Sequence, residues 1–312
     1  MKVAVTGATG FVGSRLVERL LAEGNSVVAF TRDRASAERK FPQSPNLEIV
    51  AYNPKEAGEW QEKISGCDGV VNLAGEPIAE NRWTPEVKKA LLESRTLTTQ
   101  NVVNAIATLH ASVPAQANPK PTVLVNASAI GFYGTSETAA FDESSAAGQD
   151  FLAQVCQAWE AEANRVKDSG TRLVILRIGI VLENGGALGK MLTPFKMFAG
   201  GPIGSGKQWF SWIHREDLVN LILKALNDSG MEGTYNATAP NPVKMADLTN
   251  TLGEVMNRPS WLPVPGFALE ALLGDGAIVV LEGQQVLPKR TLSTGFEYQY
   301  PTVKQALSAI LK

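Results

Sequence analysis

The first twenty residues constrain this chain more than any other stretch. Val3–Val5 is a short apolar run, and Gly7-Ala8-Thr9-Gly10-Phe11-Val12-Gly13 follows it directly. Phe11, Leu16, Leu20 and Leu21 then recur at helical spacing, so the glycines lie between a buried strand and a helix ending near Ala22. That context gives a glycine-rich turn chemical meaning. Backbone N–H groups at a helix N-terminus attract phosphate, provided that no side chain stands in the way. Gly7 permits the tight turn, Gly10 lets the backbone approach a diphosphate, and Gly13 lets the helix pack close to the sheet. Thr9, Phe11 and Val12 complete this candidate cofactor loop. A glycine-rich turn without a ligand is the alternative.

The same alternation continues. Ser26–Thr31, Leu47–Ala51, Val70–Leu73, Val123–Ala127 and Leu173–Arg177 read as strands. Pro85–Leu109, with Pro near its start, and Phe151–Lys167 read as helices, and Asn118–Pro121 as a Pro-rich turn. Repeated βα units predict an α/β protein with a Rossmann-type, doubly wound parallel sheet and helices on both faces. After Arg177 the rhythm breaks at Gly185-Gly186, Gly200-Gly201-Pro202, Gly204, Gly206 and several later prolines. This predicts a smaller, loop-rich C-terminal lobe. The expected organisation is a dinucleotide-binding domain over 1–180, joined by 213–240, with 181–212 and 241–312 forming the smaller substrate lobe.

Composition excludes several alternatives. With 44% hydrophobic and 19% charged residues, the 312-residue chain is neither disordered nor a coiled coil. Lys plus Arg number 29 against 31 Asp plus Glu, so there is no general attraction to nucleic acid or anionic membrane. Cys67 and Cys156 form no CxxC pair and there are two histidines, which argues against a metal site. Phe267–Leu281 is broken by Glu270 and Asp275, so no membrane span is expected. The apolar run at the start is too short for a signal peptide, and a cytoplasmic location is expected.

The second strand ends Phe30-Thr31-Arg32-Asp33-Arg34, where a dinucleotide's 2′ group would lie. Arg32 can stack on adenine and fork onto a 2′-phosphate, and Arg34 can assist. NADP(H) is the cofactor predicted. Asp33 keeps NAD open, and two solvated arginines are the bland alternative.

These residues resemble the extended and atypical short-chain dehydrogenase/reductases. The glycine loop is similar to their cofactor loop, and Asn72-Leu73-Ala74-Gly75 to the turn beside the cofactor. Phe132-Tyr133-Gly134 resembles the segment after their fifth strand, and Trp212–Leu218 a segment of the epimerases. Narrower still, Asn72–Ile78, Arg82-Trp83, Ser94-Arg95 and Leu281–Arg290 resemble an epimerase-like family with a C-terminal domain of unknown function. The resemblance implies that Leu73, Ala74 and Gly75 line the cofactor, and that the protein is an NADP-binding reductase or epimerase with an unassigned substrate. Some relatives bear the label of cell division inhibitors, and plant relatives are linked to plastid division.

One departure stands out. That superfamily's Tyr-xxx-Lys pair should open the helix after the fifth strand, yet aligning on Glu160 puts Leu152 and Cys156 there. No Tyr occurs between Tyr133 and Tyr235, so a shift along the helix restores nothing. The candidates for the polar work are Ser128, at a position ambiguous by one with Ala129, and Tyr133. Each equally suits a packing role. Cys156 reads as core, His214 with Asp217 as a helix cap or a pocket wall, and His110 as surface. Gly200–Trp212, with three aromatics and Lys207, reads as a mobile loop for a planar or anionic substrate, or as a cluster joining the lobes. Two functions follow: an NADP(H)-dependent oxidoreductase or epimerase acting on a small carbonyl or alcohol, or a non-catalytic NADP(H)-binding regulator with a protein partner in division. The sequence leaves the oligomeric state open.

Overall fold

A computed structural model of the chain describes residues 1–112 and 121–312, so most of the predicted Asn118–Pro121 turn lies outside the described residues. The first eleven strands, in chain order, are β1 (Lys2–Thr6), β2 (Ser26–Thr31), β3 (Leu47–Ala51), β4 (Gly69–Asn72), β5 (Val123–Ala129), β6 (Ala140–Phe141), β7 (Arg172–Ile178), β8 (Ile180–Leu182), β9 (Trp209–Phe210), β10 (Trp212–His214) and β11 (Gly233–Ala237). Seven of them form one parallel sheet in the order β11-β7-β5-β4-β1-β2-β3. The order reverses on either side of β1, as in a doubly wound sheet, and the fold class is as the sequence predicts.

Several helices start where the sequence supplies a capping side chain. α1 (Gly13–Ala22) buries Leu16, Val17 and Leu20 on one face of the sheet. Burial of each such side chain contributes about 1.5–3 kcal/mol. α2 (Arg34–Lys40) is capped by the Asp33 carboxylate, which accepts from the Ser36 N–H. α3 (Pro85–Ala111) has Thr84 as its cap and Pro at its first position. α4 (Phe151–Asn164) starts on Asp150, which accepts from the Ala153 N–H. The core on one sheet face gathers α1 residues with Leu218, Val219 and Ile222, and the core on the other gathers Val102, Val103 and Ile106 of α3.

Residues 181–212 and 241–312 are more helical than their glycines and prolines predict. α5 (Gly186–Lys196) and α7 (Met245–Met256) enclose a third apolar cluster with the C-terminal helix Val303–Leu311. The glycines and prolines of these segments lie mostly in the connections, while Met245, Leu248 and Leu252 keep helical spacing. α6 (Arg215–Asn227) leads back to the large sheet, and a two-pronged ion pair from Arg15 to Glu216 ties it to α1.

Two expectations need correction. His110 is not simply a surface residue. It is half-buried, with ring nitrogens 2.8 Å from the Ser169 carbonyl oxygen and 3.0 Å from that of Pro121. Phe210 and Trp212 do not line an open loop: both are buried in the third apolar cluster, and the Trp212 indole donates to the Asn241 carbonyl. Trp209 alone stays half-buried, with Lys244, not Lys207, over its ring at 3.9 Å.

Candidate cofactor and substrate site

The glycine loop lies at the C-terminal end of β1, an interior strand next to β4 at the middle of the sheet. Gly7 has φ +64°, and a Cβ there would fall 2.9 Å from the Leu73 carbonyl, so backbone meets backbone. A Cβ on Gly13 would fall 2.2 Å from the Gly7 oxygen, so this glycine serves packing of α1 against the loop itself. At exposed Gly10 an added Cβ would meet only the Gly7 oxygen, at 3.1 Å. Open space therefore lies over Gly10, and α1 begins with no side chain capping its N-terminus. Backbone donors with nothing above them suit a diphosphate. Phe11 turns elsewhere: its ring lies under Gly185 and Gly186, with the Arg215 guanidinium 5.4 Å away. Thr9 is half-buried and Val12 packs against the core below.

Leu73, Ala74 and Gly75 flank this loop. The Thr6 hydroxyl accepts from the Leu73 and Ala74 N–H groups and donates to Asn72, at 2.6 Å. Asn72 in turn donates to Thr99 and Asn126, and the Trp159 indole also donates to Thr99. These buried bonds fix the ends of β1, β4 and β5 against α3 and α4. Arg95 lies beside Gly75 and donates to the Glu76 carbonyl oxygen; burial lowers its pKa. Sequence reasoning used Arg95 for resemblance only, although a cation on a helix face next to Ser94 was a signal.

Beyond β2, Thr31 is buried and Arg32 is exposed, its guanidinium paired with Glu76. Because β1 lies between β2 and β4, this pair spans the loop after β1. Asp33 is committed to capping α2, and Arg34 pairs with Glu38 along that helix.

Ser128 and Tyr133 belong to one buried network. The Ser128 hydroxyl donates to Glu160 at 2.7 Å, and Arg177 donates to both oxygens of that carboxylate at 2.8 Å. Arg177 also donates to the Tyr133 hydroxyl, which donates to Asn236. Ser128 is 2% exposed and Tyr133 3%, so either hydroxyl reaches a substrate only if the network opens. Burial raises the Tyr133 pKa against the lowering effect of Arg177, so its hydroxyl is neutral and a donor. For Arg177, burial works to lower the pKa, but the Glu160 carboxylate outweighs it and the group stays charged. Glu160 and Arg177 escaped sequence reasoning, although an acid on an apolar helix face and a base ending an apolar strand were visible signals.

Leu152 and Cys156 face the turn after β5: a Cβ on Gly131 would lie 3.3 Å from Leu152 and 3.9 Å from the Cys156 sulfur. Burial pushes the Cys156 thiol up to about 11, which removes it as a thiolate at neutral pH. His214 caps α6, its Nδ1 accepting from the Glu216 N–H, and Asp217 accepts from the Gln299 and Tyr300 N–H groups.

Residues 3–237 match the NAD dependent epimerase/dehydratase family, and residues 264–310 match a domain of unknown function, DUF1731. The chain belongs to that epimerase family. It is 52% identical over 313 residues to the chloroplastic SDR39U1 homolog of Arabidopsis thaliana, covering 100% of this chain and 87% of that one. Bacillus subtilis YfhF, also called an epimerase family protein, is 38% identical, with 100% of this chain and 98% of YfhF covered. The crystal structure of human SDR39U1 (isoform 2) with NADPH superposes with a TM-score of 0.84 at 36% identity, over 99% of each chain. UDP-glucuronic acid 4-epimerase from Bacillus cereus, at 17% identity and a TM-score of 0.76 over 99% of this chain and 97% of that one, shares the fold. Among the described residues no helix is long and apolar enough to cross a membrane.

Proposed function

We propose that this chain binds NADP(H) and is an oxidoreductase or epimerase-like enzyme acting on a small carbonyl or alcohol. The observation that carries the cofactor choice is at the end of β2, where Arg32 is exposed and Asp33 is used as a helix cap. An NAD site wants a free carboxylate there for the ribose, whereas an NADP site wants a cation. The human relative solved with NADPH supports the same reading. Gly7, Thr9, Gly10, Val12 and Gly13 hold the diphosphate, Thr31 and Arg32 the 2′ end, and Leu73, Ala74 and Gly75 the groove wall. Phe11 supports the loop from below through its contact with Gly185 and Gly186. Residues 1–180 with 213–240 form the cofactor unit, and 181–212 with 241–312 close over the substrate.

The bound cofactor supplies or accepts hydride. Ser128, once its hydroxyl turns from Glu160 to the substrate, is the residue we assign to polarise a substrate oxygen. Tyr133, Arg177 and Glu160 hold it in place. A second reading, a cofactor-binding regulator without turnover, is favoured by Leu152 and Cys156 at the positions of the missing acid–base pair. Single-turnover oxidation of NADPH bound to the full chain, challenged with a panel of small aldehydes and ketones, decides between them. Oxidation faster than the protein-free rate with any member supports the enzyme, and none with every member supports the regulator.

A further inference from the structure

We propose that the substrate is an anion, a small carbonyl or alcohol bearing a carboxylate, and that Arg95 is the residue that recognises the carboxylate. This deepens the enzyme reading and rests on it. The placement follows from the sheet. β4 lies between β1 and β5, so the turn after β4 stands between the glycine loop and Ser128 near the end of β5. Gly75 in that turn is exposed, and a Cβ on it would fall 3.2 Å from the Arg95 guanidinium carbon. From α3 the side chain crosses to α4, where the same carbon lies 5.3 Å from the centre of the Trp159 ring. Cys156, three positions before Trp159 on one face of that helix, has its sulfur 3.7 Å from the carbonyl oxygen of Ala129, the neighbour of Ser128. Arg95 is therefore on the Ser128 side of the groove, across the β4 turn from the loop assigned to the diphosphate.

The charge there has only neutral partners. A guanidinium keeps its proton in a protein and offers five N–H donors. Nη1 donates to the Leu91 carbonyl oxygen at 2.9 Å and to the Ser94 hydroxyl at 3.4 Å, and Nη2 to the Glu76 carbonyl oxygen at 3.0 Å. Among the described residues no carboxylate forms an ion pair with Arg95, and the Glu76 carboxylate is taken by Arg32. Nε has no acceptor among the described residues and is not sealed from water. Burial already works against this charge and lowers its pKa. A carboxylate held by the planar fork relieves that cost, and is a far stronger partner than a carbonyl. The neighbouring walls suit an organic anion: Trp83 is buried with its ring 5.3 Å from that of Phe151, which directly precedes Leu152. With hydride passing from NADPH to the carbonyl carbon and a proton from water to its oxygen, an oxo acid becomes a hydroxy acid and NADP⁺ is left.

The test uses the full chain with NADPH and reads its oxidation by pyruvate and phenylpyruvate, by their neutral amides and by small aldehydes, in the parent, Arg95→Met, Arg95→Gln and Lys89→Met. The parent should use the acids about tenfold or more better than the amides. Arg95→Met should lower kcat/KM for the acids by about 10–100-fold, the range for a lost charge-assisted bond, and leave the amides and the Kd for NADPH within about threefold. Arg95→Gln, which keeps a donor for the Glu76 carbonyl without the charge, should behave in the same way and serves if the Met variant does not fold. Exposed Lys89, on the same helix, makes the same charge change outside the groove, and Lys89→Met should match the parent. Amides used as well as acids by the parent would overturn the proposal. So would equal losses for acids and amides in both Arg95 variants, which would make Arg95 a prop, or a Kd for NADPH weakened as much as the acids, which would make it a cofactor ligand. Turnover of no member of the panel would instead defeat the enzyme reading and the proposal with it, and turnover of the neutral members alone would defeat the proposal alone.

Discussion

Glu160→Ala should be among the most damaging single substitutions in the cofactor unit. Glu160 and Arg177 are 7% and 6% exposed, and the guanidinium reaches both carboxylate oxygens at 2.8 Å. Removing the acid leaves a buried cation over the Phe132 ring with one side-chain hydrogen bond, to the Tyr133 hydroxyl, and takes the acceptor from Ser128. Breaking a buried pair on one side costs about 3–5 kcal/mol, whereas replacing both charges by apolar groups of similar volume is often neutral. At an m-value near 3 kcal/mol/M the urea midpoint should fall by about 1–2 M. Glu160→Leu with Arg177→Met should recover most of that loss. Equilibrium unfolding followed by tryptophan fluorescence reads both. A loss under about 1 kcal/mol for Glu160→Ala, or a double variant as unstable as the single one, would refute the argument from burial and pairing.

Three further outcomes are expected. Gly10→Val should stay folded, because an added Cβ there meets only the Gly7 oxygen, at 3.1 Å, yet lose NADPH binding in a fluorescence titration; parental affinity would show that the loop is misread. Cys156→Ala should leave any reductase rate within a few fold, while Ser128→Ala with Tyr133→Phe should lower it by about 10²–10⁴, the range for lost acid–base assistance; the opposite pattern would move the chemistry to α4. Burial lowers the His214 pKa from 6.5, so the folded state binds fewer protons than the unfolded one between that lowered value and 6.5. Stability from this group is complete above 6.5 and declines as pH falls through that window. The charged groups around it are Glu183, Glu216 and Arg215, and Tyr300 packs on its ring. His214→Asn, which keeps an acceptor for the Glu216 N–H, should show a shallower decline in Tm from pH 7 to 5, and an equal decline would exclude His214 as a source.

The fold was largely legible because its signals are local. Ser26–Thr31 and Leu47–Ala51 form strands at their expected bounds, the first buried and the second half-buried at the sheet edge, since apolar runs closed by turn residues specify a strand without reference to the rest of the chain. The glycine loop was legible for the same reason: its strand, turn and helix are contiguous. The network around Ser128 was not. It joins β5, α4, β7 and β11, and the Tyr133–Asn236 bond alone spans 103 positions. No periodicity records such a meeting. Phe210 and Trp212 misled because aromatic residues beside glycines suit a ligand loop and a core equally; only the packing of α7 and the C-terminal helix decides between them.

The central claim is that the end of β2 reads a 2′-phosphate. Calorimetric titration of the parent and Arg32→Ala with NADPH and NADH tests it most directly. NADPH should bind the parent more tightly, and Arg32→Ala should cost about 1–3 kcal/mol for NADPH and little for NADH. Superimposable NADPH and NADH curves in the parent would contradict it.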